Sequence, residues 1–321
     1  MVAYLGLDIS KATIDACLFD ARGEASKKIA NDAKGFVQLK RWLENRRCSE
    51  VHICMEATGT YFEDVAESFA DDGYVVSVVN PAQIKAYAGS LLSRSKTDAV
   101  DAKIIAQFCR SQQPPAWTPP SAQERRLRGL VRFSSKLKET RASYQVQRQT
   151  PNLLTEVGRS IDEIIDELDQ QIESVEAQIA ALIKNDPDLR QRHRLLTSIN
   201  GIGDDTAALI LAEVPRLEQF RDAKAVAAFA GLSSRTRTSG SSVRGRGAIC
   251  KVGNSRLRRG LWWPAIVGII HNPRLRALAA RLRETGKPNK KIIIAAMRKL
   301  LTLAYGVLKS GRPFDGALIP T

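Results

Sequence analysis

Val2-Ala3-Tyr4-Leu5-Gly6-Leu7-Asp8 is the stretch on which the fold turns: an apolar run stopped by a carboxylate. The run reads as a buried strand, and Asp8 at its end is costly to hold near a core unless it has a task. Working outward, residues 13–19 alternate and are rich in strand formers, and Asp20-Ala21-Arg22-Gly23 is the turn after them. Residues 36–43 carry helical spacing. Residues 51–55 are another short apolar run, ending at Glu56, and residues 61–70 are predicted as a helix. Residues 74–79 read as a strand closed by Asn80-Pro81, and residues 95–110 as a helix. Strands first, then strands alternating with helices, predict an α/β sheet domain of about 110 residues.

Pro114-Pro115 and Pro119-Pro120 bracket Trp117 and mark a linker. Residues 122–150 are helical in pattern and rich in Arg and Lys, with Pro151 interrupting them. Ile161, Ile165, Leu168, Ile172, Val175, Ile179 and Leu182 then recur at alternating steps of four and three, an a/d seam that predicts a coiled coil or a helical hairpin and, through it, self-association of the chain or an inter-domain contact. Gly201-Ile202-Gly203 lies between two helical stretches. Residues 221–231 are small and apolar, residues 233–260 are polar, glycine-rich and basic, and the chain from Leu261 on is mainly helical.

The net charge of +15 points to a polyanionic partner. Residues 186–321 hold 25 Lys+Arg against 9 Asp+Glu, so the excess belongs to the C-terminal part. The five cysteines form no CxxC pair and no even framework, which fits a reducing compartment without a zinc site. The N-terminal residues lack a basic n-region, so no signal peptide is expected. The longest apolar stretch, residues 261–270, is too short to span a bilayer. The expected place is the cytoplasm, associated with the nucleoid, with no membrane partner.

Four carboxylates share a context. Asp8 and Glu56 end predicted strands, and Asp98 and Asp101 lie three apart at the start of a helix, on one face. Strand ends beside a helix N-terminus are where α/β sites assemble. Converging carboxylates repel unless divalent cations neutralise them, and hard oxygen donors favour Mg2+ or Mn2+. Two such ions, roughly 3.5–4 Å apart, can clamp the attacking and leaving oxygens of a phosphoryl transfer.

The other constellation is Arg235-Thr236-Arg237-Thr238-Ser239-Gly240-Ser241-Ser242-Val243-Arg244-Gly245-Arg246, continued by Lys251, Arg256, Arg258 and Arg259 with no acid among them. Arginines clamp phosphates, glycines allow close approach of the backbone, and a serine here stands near phosphate. A serine needs activation to attack, and His52, His193 and His271 are all distant in sequence. A basic solvated loop has the same composition, and chemistry alone does not choose among Ser239, Ser241 and Ser242. Gly201 and Gly203 form a turn that resembles a helix-hairpin-helix, which offers backbone N–H groups to phosphate.

Six stretches together resemble the DEDD insertion-sequence transposases, whose guided members are the bridge-RNA recombinases. They are Gly6-Leu7-Asp8-Ile9-Ser10-Lys11, Met55-Glu56-Ala57-Thr58-Gly59-Thr60-Tyr61, Lys96-Thr97-Asp98-Ala99-Val100-Asp101-Ala102, Gly201-Ile202-Gly203, Ala228-Phe229-Ala230-Gly231-Leu232 and Ser239-Gly240-Ser241-Ser242-Val243-Arg244-Gly245. They stand in the family's order and cover nearly the whole chain. Asn200 stands before Gly201, where proline is common in relatives.

The resemblance implies an N-terminal RNase H-like (RuvC-like) domain at 1–115 with Asp8, Glu56, Asp98 and Asp101 binding Mg2+, with Mn2+ as an alternative. A linker and coiled coil would occupy 116–185, and a mainly α transposase domain 186–321. It implies that Ser239 is the nucleophile, joined covalently to DNA. Gly201, Gly203, Arg235, Arg237, Arg244, Arg246, Lys251, Arg256, Arg258 and Arg259 would form the nucleic-acid surface. The implied partners are donor and target DNA, a non-coding bridge RNA, and further copies of the chain in a homodimer or homotetramer with composite active sites. Two other readings stay open: a metal-dependent nuclease or junction resolvase of the same fold without a covalent intermediate, and a non-catalytic nucleic-acid-binding assembly factor.

Overall fold

A computed structural model describes residues 2–57, 61–91, 98–235, 238–239, 243–244 and 248–316, with the side chains of 98–99, 235, 238–239, 243–244 and 248 outside that description. The chain divides into two compact units, Met1–Pro119 and Pro120–Thr321.

The first unit is a five-stranded sheet with helices on both faces. Its strands are β1 (Ala3–Ile9), β2 (Thr13–Asp20), β3 (Gly23–Ala30), β4 (Val51–Glu56) and β5 (Val75–Val79), in the order β3-β2-β1-β4-β5. β1, β2 and β3 pair antiparallel, while β4 and β5 join parallel to β1. The helices are α1 (Ala33–Asn45), α2 (Glu63–Asp71), α3 (Pro81–Ser90) and α4 (Asp98–Gln112). A mixed sheet of this form is compatible with the RNase H-like expectation. Strand alternation sorts the side chains. Leu5, Leu7, Ile53 and Met55 join Phe36, Leu39, Val65 and Phe69 in one core under α1 and α2. On the opposite face, Cys54 and Val79 pack with Ile84, Ile104, Ile105 and Phe108 of α3 and α4, and Cys17 with Ala102 and Ala106.

Two elements of this unit lie outside the sequence reading. β3 is Gly-Glu-Ala-Ser-Lys-Lys-Ile-Ala, too polar to show a strand pattern because it is an edge strand with only Ile29 buried. Asn80-Pro81 does close β5, but it also opens α3. Asn80 caps that helix in a capping box with Gln83, and Pro81 occupies its first turn. The proline-rich stretch after α4 runs along β5, where the Trp117 amide donates to the Val76 carbonyl at 2.7 Å and Ser77 Oγ lies 2.9 Å from the Pro114 and Pro115 carbonyls.

The second unit is mostly helical. α5 (Ala122–Arg148) and α6 (Thr155–Asn185) form a helical hairpin. The a/d seam of α6 faces α5 of the same chain: Ile161, Ile172, Val175 and Leu182 are buried and Ile165, Leu168 and Ile179 half-buried, while the positions between them are mostly exposed. Arg141 pairs with Asp169, and Arg148 Nε with Asp162 at 2.8 Å. α7 (Pro187–Thr197), α8 (Asp204–Glu213), α9 (Ala223–Phe229), α10 (Ser255–Gly260), α11 (Trp262–His271), α12 (Pro273–Glu284) and α13 (Asn289–Ser310) follow. α13 is the spine of this core: nine of its residues, among them Leu300, Leu301 and Ala304, are buried, and it packs on α7, α9, α11 and α12. Between α9 and α10 the described residues make four two-residue strands, β6 (Ser234–Arg235), β7 (Thr238–Ser239), β8 (Val243–Arg244) and β9 (Ala248–Ile249). Among the described residues no helix is long and apolar enough to cross a membrane.

Candidate functional site

The acidic edge is built by strand register and one missing β-carbon. β1 and β4 run parallel with Leu7 beside Met55, so Asp8 and Glu56 come next on adjacent strands and share a face. That face is the one under α4, because Gly6 and Cys54 lie two residues earlier on the same side. A β-carbon on Gly6 would run into the Ala102 carbonyl and the Ala106 backbone, so only glycine lets α4 lie directly on β1. The far end of α4 is fixed by Cys109, whose thiol donates to the His52 carbonyl at the start of β4, at 3.6 Å. The helix therefore runs antiparallel to β1 and β4, and its N-terminus, with Asp98 and Asp101, arrives at the strand ends that carry Asp8 and Glu56. Asn31 ties this edge together, its Nδ2 donating to the carbonyls of Ser10 at 2.9 Å and Tyr61 at 3.1 Å.

Asp8, Glu56 and Asp101 are half-buried there, and the side chain of Asp98 lies outside the described residues. The donor chemistry suits a hard divalent cation: carboxylate oxygens delivered by three elements to one edge. Among the described residues no three His, Cys, Asp or Glu side chains stand close enough together to hold a metal ion. The sequence reading missed Asp15. It sits directly across β1–β2 from Asp8 and pairs with Lys28 at 2.9 Å, so the edge carries an additional carboxylate already neutralised by the protein. Strand alternation from Ile14 and Ala16 was the signal that could have placed it.

The serine stretch, the ribbon, holds two short antiparallel ladders. Ser234 and Arg235 pair with Ile249 and Ala248, and Thr238 and Ser239 with Arg244 and Val243. Ser239 thus pairs with Val243 in the second ladder, and its side chain lies outside the described residues, as do Arg237, Ser241, Ser242 and Arg246 altogether. The base is stapled to the core. The Cys250 amide donates to Ser233 O at 2.8 Å, Lys251 to Gly231 O at 3.1 Å and Asn254 to Phe229 O at 2.7 Å. Arg258 donates to Ala230 O and Lys251 O, and Arg259 pairs with Glu139 at 3.0 Å, so these two cations already have partners in the protein. Lys251 and Arg256 are exposed.

Below the ribbon lies a residue the sequence did not flag. Glu213, at the end of α8, has a fully buried carboxylate that accepts from Arg132 Nε at 2.8 Å and from Asn254 Nδ2 at 2.7 Å. Burial pushes its pKa up, but the hydrogen bonds from Arg132 and Asn254 outweigh that and hold it below the usual glutamate range. Asn254 also caps α10, accepting from the Leu257 amide at 2.9 Å. One carboxylate therefore joins α5, α8 and the foot of the ribbon.

The Gly201-Ile202-Gly203 turn serves packing first. Gly201 has φ +104, and a β-carbon there would meet Gly268 and the Pro264 carbonyl of α11. Gly203 is exposed and caps α8, whose first turn carries Asp204 and Asp205, the second paired with Lys138 at 2.8 Å. Two carboxylates at a helix N-terminus oppose a phosphate there.

Residues 5–158 match a family of transposases of the DEDD, IS110 type, and residues 193–280 match the Transposase IS116/IS110/IS902 family. The chain is 35% identical to the pilin gene-inverting protein of Moraxella bovis over 315 residues, 97% of each chain, and equally so to that of Moraxella lacunata. It is 30% identical to an insertion element IS110 protein of Streptomyces coelicolor over 149 residues, 46% of this chain and 36% of the relative. These transposases generally use divalent metal ions. The carboxylate-bearing sheet edge and the ribbon unit fall within the two matched segments, and the chain belongs to the IS110 family of DNA transposases.

Proposed function

We propose that this enzyme cuts and rejoins DNA through a phosphoserine link made by Ser239, with Asp8, Glu56, Asp98 and Asp101 as the ligands of Mg2+ or Mn2+. The observation that carries the reading is the side-by-side placement of Asp8 and Glu56 under the N-terminus of α4. Bound divalent ions would neutralise the carboxylates and stabilise charge on the phosphate oxygens. In the serine step the Ser239 hydroxyl oxygen bonds to phosphorus, one phosphodiester P–O bond breaks, and the departing sugar oxygen takes up the proton. Attack by the sugar hydroxyl of another strand reverses the step and releases the serine. The bond energy is kept in the ester, so strands can be exchanged without hydrolysis. Insertion and the inversion named for the Moraxella relatives both require such exchange.

The serine reading is supported by a stretch whose sequence sets Ser239 among the arginines at 235, 237, 244 and 246. Lys251 and Arg256 extend the cationic surface, while Arg258 and Arg259 steady its foot. A structured bridge RNA would read donor and target sequences by pairing, leaving phosphate and shape contacts to the protein. Composite sites would form in a homodimer or homotetramer, in the cytoplasm at the nucleoid. The DEDD family membership favours a second reading, a metal-dependent nuclease that hydrolyses with water and in which Ser239 has no bond to DNA. Recombination assayed with Ser239→Ala, Ser241→Ala and Ser242→Ala separates them. Loss in the first variant alone fits the serine reading, and activity in all three fits hydrolysis.

A further inference from the structure

The second unit carries a cationic surface apart from the ribbon, and the fold does not consume it. α12 ends in a tight cap in which the Lys287 amide donates to Leu282 O at 3.0 Å and the Gly286 amide to Arg283 O at 2.9 Å, with Gly286 at φ +67. Pro288 follows and α13 begins at once. Lys287, Lys290 and Lys291 therefore stand on a rigid elbow within five residues, all exposed, and among the described residues none of them is in an ion pair. Arg281 and Arg283 on the last turn of α12 extend the patch, and they have a local reason to be there, since cations suit a helix C-terminus. The lysines have the opposite local effect. The first turn of α13 has no acidic residue and no side-chain cap, and Lys290 and Lys291 oppose its dipole. Four cations of α5 differ: Arg132, Lys138, Arg141 and Arg148 are each engaged by carboxylates of the same unit.

We infer that the α12–α13 elbow docks the phosphate backbone of duplex DNA, at a second place beyond the ribbon and beyond the matched family segment, which ends at residue 280. The chemistry selects the partner. No large hydrophobic residue is exposed between 281 and 291, which disfavours a lipid surface or a protein hot spot. No aromatic side chain stands there to stack a splayed base, as single-stranded RNA recognition requires. A rigid row of ammonium groups matches a regular row of phosphates.

The inference rests on this chain acting on DNA but not on Ser239 or the metal site, so it is tested with chemistry switched off. Binding of a fluorescent mixed-sequence duplex to the full chain is measured in EDTA over a KCl series, for wild type and for Lys287→Gln/Lys290→Gln/Lys291→Gln. The slope of log K against log salt should become shallower by about 2–3, since each phosphate that the protein no longer neutralises removes about 0.9. The melting temperature should stay or rise, because the changes relieve the α13 N-terminus. An unchanged slope overturns the inference, as does a lowered melting temperature, which would make the lysines structural. A slope change seen with an RNA hairpin but not with the DNA duplex also overturns it.

Discussion

The Ala102 carbonyl of α4 lies where a β-carbon of Gly6 would have to go, so the helix and β1 touch backbone to backbone. Everything at the acidic edge depends on this contact, since it decides how near the N-terminus of α4 comes to Asp8 and Glu56. Gly6→Ala should move the helix outward. Overpacking of this kind costs about 1–3 kcal/mol. Thermal melting should show that destabilisation, and strand transfer at a temperature well below the midpoint should fall further than stability alone explains.

Asp8→Asn should leave the fold intact, because it removes a charge from an edge already crowded by Glu56, Asp101 and the Lys28-paired Asp15. Mg2+ or Mn2+ should raise the melting temperature of the wild type and fail to raise that of the variant, with recombination abolished. An unaltered metal-induced shift in Asp8→Asn would remove Asp8 from the ligand set.

The pH dependence of stability should carry the mark of Glu213. Its folded pKa lies below its unfolded value, so the unfolded chain binds the proton more readily. The stabilisation is fully present above the ordinary glutamate range and is lost as pH falls through the depressed folded value. Chemical denaturation across that acidic window should show the decline. Glu213→Gln should flatten this part of the profile and cost about 3–5 kcal/mol at neutral pH by removing the buried charge that Arg132 pairs with.

How much of this is legible in the sequence depends on the range of each interaction. β1, β2, β4 and β5 are readable because burial imposes a local pattern on Leu5, Leu7, Ile53 and Met55. β3 is not, since an edge strand exposes most of its side chains and Lys27 and Lys28 carry no strand signal. The acids at 8, 56, 98 and 101 can be named from their strand ends and helix start. What brings them to one edge, the Gly6 contact and the Cys109 anchor, is tertiary. The seam on α6 announces a helical partner, expected from the heptads to be another copy of the chain or another domain, and the structure instead supplies α5 of the same chain. Glu213 is invisible because Arg132 and Asn254 lie far from it in sequence.

That intrachain seam changes what its mutation should do. Ile172→Ala opens a cavity between α5 and α6 and should cost about 2–4 kcal/mol. Sedimentation of the folded variant should match the wild type. A shift toward monomer without any fall in stability would instead place this seam between copies of the chain.

The central claim is that Ser239 and the acidic edge act in one recombination reaction. Its most direct test is covalent trapping: purified protein, Mg2+, RNA from the flanking region, and labelled donor and target DNA, followed by denaturing electrophoresis. The account predicts a denaturant-resistant protein–DNA band that is absent with Ser239→Ala and absent with Asp8→Asn. Cleavage without any adduct, persisting in Ser239→Ala, would contradict it and leave a metal-dependent hydrolytic nuclease.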